Sequence, residues 1–156
     1  MILIADSSAL VALSIVNKLD ILEKLFGEVY VPQAVYIEVS KENKSESIKL
    51  EKYCKTRVVD ISTEVNFNIT LGVGESEAII LYKEKGANFL LCDDKKAKKF
   101  AKGFGINVIG SLGILLKAKE SNLIDTLSPL IELLRDSSIF IDDKTYELVL
   151  KMAGEF

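Results

Sequence analysis

Histidine is absent from all 156 residues. This removes the most frequent general base, the most frequent zinc ligand and every serine–histidine triad, so catalysis by this chain has to rest on carboxylates. Cysteine is almost as scarce. Cys54 and Cys92 are the only two, and without CxxC spacing they read as reduced, buried thiols with no catalytic role. No apolar run is long enough to span a membrane. Residues 1–16 resemble a secretory leader only superficially, because they lack a basic start, contain Asp6 and offer no small-residue cleavage site. A cytoplasmic location is the expectation. An excess of basic charge is missing too: 20 Lys and Arg against 23 Asp and Glu give a net charge of −3, unlike a protein that coats nucleic acid. Linkers, repeats and low-complexity segments are not found.

What remains is apolar and regular. Hydrophobic residues make up 49% of the chain and mean hydropathy is +0.24, values that fit one well-buried domain over residues 1–156. Five short apolar runs read as strands: Ile2 to Ala5, Val29 to Val31, Arg57 to Ile61, Asn88 to Cys92 and Asn107 to Ile109. They are continuous rather than alternating and are separated by helical patterns, as expected for an α/β fold whose parallel sheet is buried on both faces. Helix starts are marked at Ser7 or Ser8, at Pro32 as a first helical position, at Ser45, and at Asp93 or Asp94. From Ser111 onward the chain reads as helical, with Phe140 and Ile141 as a short extended break.

In open α/β sheets, ligands sit beyond the carboxyl ends of the strands. Asp6 ends the first strand, and Asp93 with Asp94 ends the fourth. Each acid alone is well explained as a helix cap. Two like charges at one helix start are less economical, and a bound cation would relieve them. Glu38 lies on an otherwise apolar helix in VPQAVYIEVSKE, and Glu75 and Glu77 fall in the first turn of the helix opened by Gly72 and Gly74. Residues two apart diverge on a helix, so at most one of Glu75 and Glu77 aims into a common cleft. Ser7, Ser8 and Ser111 are placed to hydrogen-bond these carboxylates or a phosphate, though capping explains each as well. Lys95, Lys96, Lys98, Lys99 and Lys102 crowd the helix after Asp94; such a run is usually a solvated face, and beside a cleft it can hold phosphates.

The series DSSALVAL, VYIEV, GESEAI and LLCDDKKAKKFAKGFGINVIG, in this order and over nearly the whole chain, resembles the PIN-domain family, in particular a prokaryotic branch related to VapC-type toxins. The resemblance implies a PIN-like three-layer fold with a central parallel sheet of about five strands. It also implies an endonuclease that cuts RNA with one or two Mg²⁺ or Mn²⁺ ions held by an acidic cluster. By motif position Asp6 matches the first family acid, Glu38 the second, Glu75 the third with Glu77 in reserve, and Asp93 or Asp94 the fourth. Typical members carry Asp at the third place, and threonine where this chain has Cys92. An antitoxin partner is a further implication. So is a homodimer, for which LSPLIELL and YELVLKM offer apolar helix surface. Independently of the family, hard divalent ions prefer oxygen ligands, and two of them about 4 Å apart can cleave a phosphodiester without a side-chain base. The rival reading is an inactive PIN-like module that binds RNA or protein. Other classes fit poorly: Ser8 occupies the second Asp of a DxD phosphatase, the acidic pair sits on the wrong strand for a phosphoreceiver, and no GxGxxG follows Ala5.

Overall fold

Ile2–Ala5 forms β1, the middle strand of a five-stranded sheet. Leu3, Ile4 and Ala5 are fully buried because helices cover both faces, which is why this strand reads as a continuous apolar run. In this computed structural model, which describes residues 1–63 and 71–156, β2 (Glu28–Pro32) and then β3 (Val58–Val59) lie on one side of β1. On the other side lie β4 (Phe89–Leu91) and then β5 (Val108–Ile109). Every pairing is parallel, with Ile4 opposite both Tyr30 and Leu90. The chain first builds outward through β2 and β3, then crosses back to β4. Sheet order therefore reverses between β1 and β4, and a crevice opens beyond their carboxyl ends.

The described helices are α1 (Ser7–Ile15), α2 (Ile21–Phe26), α3 (Gln33–Val39), α4 (Ser47–Lys55), α5 (Val73–Lys85), α6 (Lys95–Gly103), α7 (Ser111–Glu120), α8 (Ser128–Asp136) and α9 (Asp143–Met152). They form the outer layers of a three-layer α/β structure. Leu3 and Ala5 join Leu10, Leu13, Ile114, Leu115 and Ile131 in one core. Ile4 turns the other way, into a second core with Ala78, Ile79 and Leu81 of α5 and with Ala97 and Ala101 of α6. This in-and-out alternation along β1 fastens both helical layers to one strand.

The expected strands are all present: β1 has the expected bounds, β2 extends one residue further at each end, and β3, β4 and β5 are shorter than expected. Two expected helix starts are displaced. Pro32 closes β2 and caps α3 from outside the helix, which begins at Gln33. Near Ser45, helix α4 begins at Ser47 because Glu46 adopts a left-handed conformation, with φ +66°. The Glu46 carboxylate there accepts hydrogen bonds from the Ser14 hydroxyl at 3.0 Å and from Lys49 at 3.1 Å. Cys54 and Cys92 are free and buried. Among the described residues no helix is long and apolar enough to cross a membrane.

Leu13 is fully buried between α1 and its covering helices. Its replacement by Ala should lower unfolding free energy by about 3 kcal/mol in urea titrations. A loss below about 1 kcal/mol would mean that this face is not tightly packed.

Candidate active site

The backbone at the crevice is fixed before any side chain acts. The Asp6 N–H donates to the Leu91 carbonyl and the Cys92 N–H to the Ile109 carbonyl, each at 2.9 Å, so both residues continue the sheet's hydrogen bonding past the strand ends. Asp6 also caps α1, its Oδ1 accepting from the Ser7 N–H at 2.8 Å. Capping does not account for its depth, for the residue is 1% exposed. Its Oδ2 accepts a long hydrogen bond from the Cys92 thiol at 3.5 Å. Burial is the main cause that pushes the Asp6 carboxyl up to about 7; the negative charges of Glu75 and Glu38 add to the rise, while the Ser7 N–H and the Cys92 thiol oppose it. Burial and the adjoining Asp6 carboxylate hold the Cys92 thiol far above its ordinary range, so it stays a donor.

Glu38 comes from α3 and reaches the same place through a gap at Gly74. A Cβ on Gly74 would stand 3.4 Å from Glu38 Oε2, 3.9 Å from Asp6 Oδ1 and 3.3 Å from Val35 Cγ2. The missing side chain thus leaves open the space between the two carboxylates. Glu75 folds its carboxylate back over Gly72 and lines a hollow of about 500 Å³ with Glu38, Gly74, Lys41 and Lys44. A neighbouring hollow of about 340 Å³ holds Ser7 and Ser8 and shares Glu38 and Lys44 with the first.

The remaining acids are engaged as caps. Asp93 accepts from the Ser111 N–H and hydroxyl, both at 2.7 Å, and so supplies the cap that Gly110 cannot give to α7. Asp94 accepts from the Ala97 N–H at 2.8 Å and caps its own helix, α6. Glu77 points to α3, where it accepts from the Ala34 N–H at 3.0 Å beneath a proline that offers no side-chain cap. Lys95 and Lys98 line a third hollow beside Asp93 and Ser111, while Lys96 and Lys99 lie on the exposed face of α6. Asp6, Glu38 and Glu75 are thus brought to one crevice, with Asp93 at its β4 side. Among the described residues no group of three or more Asp, Glu or Cys side chains is arranged so that it could hold a metal ion.

Sequence reasoning did not single out Lys41, Lys44, the thiol of Cys92 or the open space at Gly74. The lysines had a signal: the loop after α3 starts next to Glu38, so its charges had to fall near the crevice.

A family model described as PIN domain matches residues 2–155. The chain belongs to the PIN-domain family. No curated protein matches it. A solved structure similar to it is that of a PilT N-terminus domain protein from the hyperthermophilic archaeon Sulfolobus solfataricus P2, with 21% identity and a TM-score of 0.52 over 77% of this chain and 95% of that one. This likeness concerns the fold. PIN domains are generally nuclease-like and generally use divalent metals.

The raised carboxyl of Asp6 has a pH signature. Between about 4, where the unfolded group with its value of 3.8 ionises, and about 7, the folded PIN domain keeps a proton that the unfolded chain has released. Stability in chelator-treated buffer should therefore fall as pH rises across this window and level off above it. Asp6→Asn keeps the cap and removes the titration. It should exceed the wild type at pH 8 by about 4 kcal/mol and match it near pH 4. Parallel Tm–pH profiles for the two proteins would refute the assignment.

Proposed function

We propose that this PIN domain is a cytoplasmic, divalent-metal-dependent endoribonuclease, and that Asp6, Glu38 and Glu75 hold Mg²⁺ or Mn²⁺. The observation that carries the reading is the gap at Gly74, a space only a side-chain-free residue leaves, bordered by the Asp6 and Glu38 carboxylate oxygens. The donors are all hard oxygens and no histidine is available, a set suited to Mg²⁺ or Mn²⁺ rather than zinc. When bound, such an ion supplies a Lewis acid for the phosphodiester and makes water acidic enough to attack near neutral pH.

The chain's own groups do the rest. Asp6 gives up its proton near neutrality and becomes a buried anion that a cation compensates. Cys92, donating to Oδ2, fixes which oxygen of Asp6 faces the gap. Asp93, clamped by Ser111, is a fixed acceptor on the β4 side; Asp94 and Glu77 serve the site indirectly, by holding α6 and α3 in place. Lys41 and Lys44 on one flank and Lys95 and Lys98 on the other bind backbone phosphates, with Ser7 and Ser8 between them. Lys96 and Lys99 add to the attractive field of α6. The reading extends to a toxin-type enzyme restrained by an antitoxin, and to pairing of two chains through α8 and α9, where Leu133, Leu148 and Met152 are exposed.

Mn²⁺ added to the chelated protein at pH 8 should raise Tm, and the shift should vanish in Asp6→Asn, in Glu38→Gln and in Gly74→Ala, which fills the gap. Cleavage of a fluorescent RNA should need the metal and fall at least about a hundredfold in Asp6→Asn. RNA binding without any Mn²⁺ response in the wild type would replace the enzyme with a binding module.

Glu75 and Glu77 separate by the same measurement. Glu77→Ala should cost about 1 kcal/mol of stability through the lost α3 cap and keep the Mn²⁺ shift, whereas Glu75→Gln should weaken the shift and leave stability in chelator nearly unchanged. The reverse pattern would exchange their roles.

A further inference from the structure

Two bare glycines border the crevice, one on each side, and a cation stands at one of them. A Cβ on Gly110 would meet Asp93 Oδ1 at 2.8 Å, Lys98 Nζ at 3.1 Å and the Cys92 carbonyl oxygen at 3.7 Å. The space over Gly110 is therefore a cradle of two oxygens with an ammonium group beside them. At Gly74 the nearest atoms are a Val35 methyl and the carboxylate oxygens of Glu38 and Asp6, with no ammonium group among them. Among the lysines of α6, Lys98 is half-buried, whereas Lys95, Lys96, Lys99 and Lys102 are exposed. Its reach is built into the helix. Side chains on a helix lean back toward its N-terminus, and α6 starts directly after Asp94, so a lysine one turn in extends back to the end of β4.

Charge is balanced on this side. The hollow next to β4 holds Asp93 and Asp142, and with them Lys95 and Lys98. Hydrogen bonds from Thr145 are the main cause that holds the Asp142 carboxyl below its usual range, and the charges of Lys95 and Lys144 add to it. Asp94 turns to the Ala97 N–H of its own helix and brings no further carboxylate here. Asp93 accepts one hydrogen bond on each oxygen, both from Ser111, which leaves a lone pair free on each. Those bonds alone would not turn a metal ion away. The Lys98 ammonium would, because a divalent ion at the same oxygen meets a like charge at close range.

We propose that Lys98 takes the place of a second metal ion, so that the crevice holds one divalent ion, at Asp6, Glu38 and Glu75, and meets the phosphate with an ammonium group on its β4 side. The inference rests on the metal-dependent reading and adds to it the number of ions and the source of the second positive charge. Phosphodiester cleavage can use one divalent ion or a pair, and a pair stabilises the attacking and the leaving oxygen together. A lysine supplies the second charge as electrostatic stabilisation alone, fixed to the fold and kept in chelator.

Titration with Mn²⁺ at pH 8 counts the ions, through the loss of the free ion's electron paramagnetic resonance signal. The wild type should bind one Mn²⁺ per chain. Lys98→Ala removes the charge and the stem, and Lys98→Met removes the charge while keeping most of the stem. Each should bind two ions, the second more weakly, and adding Asp93→Asn to Lys98→Ala should return the count to one. Lys98→Arg keeps a cation at the cradle and should bind one. Lys102→Ala removes the same charge at the far end of α6 and should also bind one, which separates the cradle from the general field of the helix. Alanine, methionine and arginine are all good helix formers, so these variants should fold, with melting curves as the check. Two ions on the wild type, a single ion on both Lys98→Ala and Lys98→Met, or two on Lys102→Ala would each overturn the proposal. No ion on the wild type with one on Lys98→Ala would keep Lys98 in the place of a cation and remove the metal reading of the Asp6 crevice. No ion on any of these proteins would overturn both.

Discussion

Asp6 cannot be both buried and charged at no cost, and much of the site's organisation follows from that conflict. Burial alone favours the protonated acid, and the two glutamates reinforce the preference. A fold that only needed a cap for α1 would keep this carboxylate at the surface, where Asp94 and Asp142 cap their helices in the exposed positions usual for such residues. Here the sheet holds Asp6 in place through its backbone bond to Leu91, so repulsion cannot be relieved by moving the strand end. The remaining ways to relieve it are a proton or a cation. That is the physical meaning of a carboxyl that titrates close to neutrality in a family of metal-using nucleases.

Capping and ligation compete for the same residue types, and this molecule divides them. Helices α3 and α7 both lack a capping side chain at their own N-cap positions, Pro32 and Gly110. Each borrows a carboxylate from elsewhere, Glu77 for α3 and Asp93 for α7. The borrowed caps tie α5 to α3 and the end of β4 to α7, the same elements that bring Glu38, Glu75 and Asp93 to the crevice. Helix ends and the crevice are thus stabilised by one set of hydrogen bonds, and the two acids of GESE part ways because neighbours two apart on a helix face different sides.

The overall charge of −3 is a poor guide to the surface that matters. Acids gather at the crevice and as caps, whereas lysines stand on both of its flanks, Lys41 and Lys44 after α3 and Lys95 and Lys98 on α6. Hollows that share Glu38, Lys44 and Ile139 run continuously between those flanks. Along that groove lysines stand among acids, Asp93 and Asp142 beside Lys95 and Lys98 in the hollow next to β4 and Glu38 and Glu75 beside Lys41 and Lys44.

The sequence by itself determined the fold class, the five strands and the placement of Asp6 at the carboxyl edge of the sheet. Those features depend on local runs: a buried parallel strand must be apolar throughout, and the residue after it must sit at the sheet's edge. It could not assign Glu75 against Glu77, or Asp93 against Asp94, because each pair lies within one turn and its members differ only in what faces them across space. Tertiary structure decided what each of them meets, by bringing Ala34 to Glu77, Ser111 to Asp93 and the bare Gly74 between Asp6 and Glu38. It also turned Cys92, which the sequence marks only as a buried thiol at a position where typical family members carry threonine, into a donor to Asp6. These contacts join residues from 18 to 86 positions apart, and no local pattern encodes a hydrogen-bond partner that only sheet order and helix crossings deliver.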